Sequence, residues 1–211
     1  KRSTRGTFVE MKHANQKRND LSKITKRTLG AGDLRAAVRL PKGESLNEWV
    51  ATNIVDFYNE VSVLYDICAE DATRFDKPGE GFPPNFEYRW ADGVKHTSPL
   101  RCSSQEYVSF VLDWIEEQIR DESVFIVAED DEFPDEFDDI ARKILTRIFR
   151  IYAIMYHSHF AVIEEHNAAH HLNTAFKHFV FFSYEHGMVE DKEYQALEGP
   201  VSRLIDEYNS K

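Results

Sequence analysis

The sequence predicts an all-α fold, an antiparallel helical bundle with a small β-hairpin and an irregular loop at its side, and three observations carry that expectation. Apolar residues recur at three-to-four spacing over several long stretches. Two Ser-x-x-Glu capping boxes open such stretches. Between them, Pro78, Gly79, Gly81, Pro83 and Pro84 crowd into one segment that cannot be regular helix.

The 211 residues suffice for one well-buried core, and no Ser/Gly/Pro-rich linker divides them, so residues 1–211 are expected to form one domain. The chain starts at Lys1 rather than Met, and residues 1–20, basic and weakly patterned, are expected to be a flexible lead-in to a trimmed chain. Two brief helical turns follow, Leu21 to Leu29 and Asp33 to Val38, hinged on Gly30 and Gly32 and stopped before Pro41. Ser45 and Glu48 form the first capping box. After it Trp49, Val50, Ile54, Phe57, Val61, Leu64 and Cys68 mark a long amphipathic helix. Phe86 to Trp90 alternates and meets Asp92-Gly93, a hairpin signal. Ser103 and Glu106 form the second box, opening a helix with Tyr107, Val111, Trp114 and Ile115 inward. Acidic residues from Glu129 to Asp139 precede or begin a third long helix, where the macrodipole favours them, and Ile144, Ile148 and Ile151 line its buried side. Asn173 is expected to cap the next helix, which Gly187 ends, and a final amphipathic pair surrounds Gly199-Pro200.

A net charge of −11 argues against nucleic acid and anionic membrane as partners and favours a basic one. No apolar run approaches the ~20 residues needed to cross a bilayer. A soluble protein of the cytoplasm, and also the nucleus, is expected. Cys68 and Cys102 form no CxxC pattern, which fits a reducing compartment.

No P-loop, GxGxxG, GxSxG or papain-like cysteine pattern occurs, so no catalytic residue is assigned and no enzyme is expected. The histidines between His157 and His178 are the main competing signal. His166 and His170 have metal-competent spacing if their helix is continuous, which keeps a metal-dependent enzyme as a remote alternative. The third long helix carries Lys143, Arg147 and Arg150 at i, i+4 and i+7, with Arg142 beside them. Such a stripe suits a phosphorylated Ser or Thr, and equally suits internal pairing with acids. Asn47, Glu48, Asn53 and Asp56 describe a separate acidic-polar face on the first long helix, and Glu44 precedes it. It suits either a basic partner segment or solvent.

Leu46-Asn-Glu-Trp49, Val55-Asp-Phe57, Glu87 to Gly93, Tyr152 to Phe160 and His171 to Phe179, five blocks in order from about Thr28 onward, resemble the Mob/phocein family of kinase activators. The resemblance implies a helical-bundle coactivator, active in cell division or Hippo-type signalling, that docks the basic N-terminal region of an NDR/LATS-type kinase. By that resemblance Glu44, Glu48, Trp49, Asn53 and Asp56 bind the kinase, although Trp49 also lies on the apolar stripe. It implies phosphopeptide binding, from a phosphorylated upstream kinase, by Arg147 and Arg150. Thr146 stands where the family has lysine, and Lys143 or Arg142 is expected to restore the charge. Thr28 matches a phosphorylation site of some members. A phocein-like scaffold in a phosphatase/kinase assembly is the nearest alternative role.

The family zinc positions fall on Ala72, Lys77, Ile154 and His159, so a single ligand survives; Cys68 lies one turn earlier and Cys102 in another block. Structural zinc contributes on the order of 10 kcal/mol to folding. The expectation is nonetheless a chain without cofactor, with Phe75, Phe82 and Phe86 packing the loop instead.

Overall fold

The computed structural model describes residues 18, 20, 21, 23, 32–128 and 132–210. Of the predicted first helical turn, Leu21 and Lys23 are helical and the rest lies outside the described residues. Helix α1 (Leu34–Val38) starts where Asp33 accepts from the Ala36 amide at 3.0 Å. Helix α2 (Leu46–Ile67) is followed by the single turn α3 (Ala69–Ala72). Helix α4 (Ser104–Arg120) begins on the predicted capping box: the Glu106 amide donates to Ser103 Oγ at 3.2 Å and the Ser103 amide to Glu106 Oε2 at 2.9 Å. Such a cap stabilises a helix by about 1 kcal/mol.

Helix α5 (Phe137–Ile154) carries Asp138 and Asp139 in its first turn and runs into a π-helical turn, Met155–His159. The short α6 (Phe160–Glu165) follows, then α7 (Ala169–Glu185), α8 (Asp191–Tyr194), a 3-10 turn (Gln195–Leu197) and α9 (Glu198–Asn209). Helix α5 is the centre of the bundle. Its side chains at Ile144, Leu145, Ile148, Phe149, Ile151 and Tyr152 are all buried, and each of the aliphatic ones and Phe149 contributes roughly 1.5–3 kcal/mol as it leaves water. It packs along α2 and against α4, while α7 contacts α1, α2 and α9.

Four local expectations need correction. The predicted β-hairpin is not seen: among the described residues the ladder is a single antiparallel bridge, Trp90 to Leu100, with N···O distances of 2.9 and 2.7 Å. Beyond the bridge the connecting segment bonds to a side chain instead, with Asp92 Oδ1 accepting the amides of Val94 and His96, each at 2.8 Å. Ser45 makes no side-chain capping bond, and the Glu48 carboxylate that would form the reciprocal half of the box is taken by Arg18. Helix α7 begins at Ala169, four residues before Asn173, whose Oδ1 instead accepts from the Tyr156 hydroxyl at 2.8 Å. Gly199 and Pro200 do not separate two helices; they lie in the first turn of α9, where a missing amide hydrogen costs nothing. Gly187, at φ +59°, ends α7 as expected, with the Met188 amide reaching back to the Ser183 carbonyl at 2.8 Å.

Candidate functional site

The acidic face predicted on α2 is built but covered. Within the segment expected to be flexible, Arg18 is 2% exposed and donates from Nε to Glu48 Oε2 at 2.6 Å and from Nη2 to Oε1 at 3.4 Å. Its guanidinium also lies 5.3 Å from the Phe133 ring. Glu48 is therefore a buried, charge-paired residue rather than a solvated one. Trp49 belongs to the core and donates from Nε1 to the Val38 carbonyl at 3.1 Å, tying α1 to α2. Asn53 is fully buried and turns its amide back to the Trp49 carbonyl at 2.8 Å. Glu44 and Asp56 are half-buried.

One turn beyond Asp56 stands Glu60, which the sequence reading passed over. The residue as a whole reaches the surface, yet desolvation of its carboxyl, reinforced by the Asp56 charge, pushes its pKa up to about 7. Glu60 therefore adds negative charge to α2 only as pH rises through about 7.

The basic stripe on α5 is largely turned inward. Arg150 makes a forked pair with Glu193 of α8, Nε to Oε2 at 2.9 Å and Nη2 to Oε1 at 2.8 Å, and Nη1 donates to the Tyr107 hydroxyl at 3.2 Å. Arg147 is clamped between two indoles, 4.4 Å from the Trp90 centroid and 4.1 Å from that of Trp114. Its Nη2 donates to the Ala91 carbonyl at 2.6 Å, while Nη1 is buried and has no hydrogen-bond partner among the described residues. Burial pulls the Arg147 pKa below the usual arginine value, and among the described residues it forms no ion pair. Arg142 is held by Asp138 at 2.7 Å and by the Gly187 carbonyl. Lys143 is exposed, and Thr146 is half-buried. Of the two readings the stripe allowed, internal pairing describes Arg150, whereas Arg147 keeps one unsatisfied donor.

The histidines do not converge. The helix breaks between α6 and α7, where Asn167 adopts φ +55°, so His166 and His170 do not share one continuous helical face. His166 Nδ1 lies 2.8 Å from the Val162 carbonyl and His157 Nε2 2.9 Å from that of Ala196. Among the described residues no three His, Cys, Asp or Glu side chains are grouped to hold a metal ion.

The family zinc positions likewise do not fit the ion. Ala72 and Ile154 are buried and carry no donor atom, Lys77 is exposed, and Cys68 turns Sγ toward the Leu64 carbonyl at 3.8 Å. His159, the one remaining ligand type, is buried with Nδ1 2.7 Å from Asp71 Oδ2. The expected aromatic packing is present: Phe75 meets His159 edge-on, Phe82 meets Tyr88 and Tyr107, and Phe86 meets Tyr88. Thr28 lies outside the described residues.

Arg18, Glu193 and the Trp90–Trp114 clamp were missed by sequence reading. Arg150 and Glu193 are 43 residues apart, and no local pattern signals such a pair. For the clamp, the three residue types were visible but their convergence was not.

Among the described residues no helix is long and apolar enough to cross a membrane. Residues 26–197 match the Mob1/phocein family. The chain is 45% identical over 181 residues to the MOB kinase activator-like 1A of Arabidopsis thaliana, covering 86% of this chain and 84% of that one. It is 44% identical over 185 residues to the protein of that name from Medicago sativa subsp. falcata, covering 88% and 86%. It is 40% identical over 203 residues to the maintenance of ploidy protein mob1 of Schizosaccharomyces pombe, covering 96% and 97%. With a central helix packed on α2 and α4 and touching α7 through Phe149 and Tyr152, and with these relatives matching most of the chain, one assignment is left: the chain belongs to the Mob1/phocein family.

Proposed function

We propose that the chain is a non-catalytic kinase coactivator whose α2 surface takes the basic N-terminal region of an NDR/LATS-type kinase. One observation carries this reading. Glu48, at the head of α2, already holds a guanidinium, that of Arg18, in a charge-assisted pair at 2.6 Å. A carboxylate in this setting suits an arginine chemically, half-buried Glu44 and Asp56 lie before it and two turns beyond it, and a kinase arm rich in arginine competes for the same oxygens. Family membership and the names of the plant relatives support a kinase as the class of partner. The test is stimulation of an NDR-type kinase by the purified chain, with and without the kinase's basic arm. Stimulation that depends on the arm supports the reading, and stimulation that ignores it refutes it.

A second binding role, reading of phosphopeptides, is favoured by Arg147. Its buried Nη1 lacks a partner among the described residues, and exposed Lys143 stands one helical turn earlier. Arg150 joins such a site only as Glu193 lets it go. Titration with a phosphothreonine peptide and its unphosphorylated twin decides the matter, since equal affinity for the two removes the phosphate-reading role.

A further inference from the structure

The loop after α3 and the π-helical end of α5 meet at the place where family resemblance implies a zinc ion, and the donors found there are of another kind. We propose that Asp71, Arg74, Ser158 and His159 form a metal-independent clasp that joins these two segments in place of zinc. This inference is independent of the kinase reading.

The clasp is a closed run of polar contacts. His159 Nδ1 lies 2.7 Å from Asp71 Oδ2, and the other carboxylate oxygen is 3.1 Å from Arg74 Nε. Arg74 Nη2 then donates to the Ser158 carbonyl at 2.5 Å, and Ser158 Oγ donates to the Gly81 carbonyl at 2.8 Å. Three of these four contacts span 77 to 88 residues of sequence, so together they fix residues 71–81 against residues 158–159. The π-helical turn matters here, because it sets Ser158 and His159 so that the serine meets Gly81 while the adjacent imidazole enters the core.

The surroundings of the second imidazole nitrogen point the same way. His159 Nε2 is buried without a hydrogen-bond partner among the described residues, and the imidazole is flanked edge-on by Tyr65 and Phe75, with ring centroids 5.9 and 5.7 Å away. A nitrogen lone pair resting among aromatic edges leaves no amide or ammonium hydrogen unsatisfied, so the imidazole can be neutral with its proton on Nδ1, facing Asp71. Packing also restricts the loop: at Gly81, φ +78°, a Cβ would stand 2.1 Å from Ser104 Oγ and 2.7 Å from the Phe75 ring. The loop is thus seated against α4 on one side and clasped to the end of α5 on the other.

The test uses the full chain purified without added metal. Zinc is measured by inductively coupled plasma mass spectrometry, melting is followed with and without a strong zinc chelator, and hydrogen exchange is followed over residues 71–82. The clasp requires zinc far below one ion per chain and a Tm that the chelator moves by less than about 1 °C. It requires Asp71→Ala to lower Tm by roughly 3–10 °C and to speed exchange across the loop. Should Asp71→Ala fail to fold, Ser158→Ala removes only the bond to Gly81 and must still speed exchange around Gly81. Zinc near one ion per chain, a chelator-sensitive melt, or unchanged loop exchange in the variant that folds would each overturn the proposal.

Discussion

Arg18 and Glu48 sit 2.6 Å apart with side chains 2% and 9% exposed, so Arg18 closes over the acid that heads α2. Removing one partner of such a pair strands a charge in a nearly dry site. Glu48→Ala is expected to destabilise the fold by about 3–5 kcal/mol, read as a lower urea midpoint. Replacing both residues with apolar ones of similar volume is expected to restore most of that loss, because the stranded charge is gone. A double replacement as unstable as Glu48→Ala would show that the pair does not account for the effect.

Glu193→Ala frees Arg150 from its forked partner while leaving the Tyr107 contact in place. The pair is half-buried and partly screened by solvent, so the expected stability loss is moderate, about 1–2 kcal/mol. Affinity for a phosphothreonine peptide is expected to rise several-fold in the same variant. A fall in both properties would mean that Glu193 orders the site rather than masking it.

Arg147→Lys keeps a positive charge but loses the guanidinium contacts with the Trp90 and Trp114 rings and the bond to Ala91. The expected cost is about 2 kcal/mol, accompanied by a red shift of tryptophan fluorescence as the indoles meet water. An unchanged spectrum would show that the clamp survives without the guanidinium.

The Glu60 carboxyl, pushed up to about 7 by desolvation and by Asp56, retains a proton in the folded chain that an unfolded chain, with a pKa near 4.5, has already released. Its contribution to stability is therefore complete below about pH 4.5 and is lost as pH rises through about 7. Glu60→Gln is expected to melt like the parent at pH 4.5 and above it at pH 8. A constant difference in Tm across that range would contradict the assignment.

His178 behaves in the opposite sense. Burial against Phe57, ring centroids 4.9 Å apart, pushes its pKa down to about 4. The fold holds it neutral while an unfolded chain charges it near 6.5, so its contribution is present above that pH and lost as pH falls through 4. His178→Phe keeps a ring against Phe57 and is expected to flatten the acid limb of the stability profile, measured by urea midpoints between pH 4 and 7.

Helices α2, α4 and α5 were legible because their apolar residues keep a 3.6-residue period over many turns, and Ser103 with Glu106 marked a start that depends only on neighbours. Signals that depend on distant residues failed. Ser45 and Glu48 have the spacing of a cap, but a guanidinium 30 residues away outbids an amide for the carboxylate. Asn173 has a capping side chain, yet Tyr156 takes it inside the helix. Trp90 and Leu100 pair once and stop, as the Asp92 carboxylate takes the Val94 and His96 amides in the connecting segment. For the candidate site, the charge signs of α2 and α5 could be read from composition and spacing. Which charges face outward could not, because Glu193 and Arg18 reach the site only through tertiary packing.

The most direct test of the account is calorimetric titration of the basic arm of an NDR-type kinase into the parent chain, the Arg18→Ala variant and an Asp56→Asn variant. Arg18→Ala removes the internal competitor at Glu48 and is expected to tighten binding about tenfold, while Asp56→Asn is expected to weaken it, with affinity falling as salt rises. Equal affinities across the three proteins, or binding indifferent to salt, would contradict the claim that the acids of α2 receive the kinase.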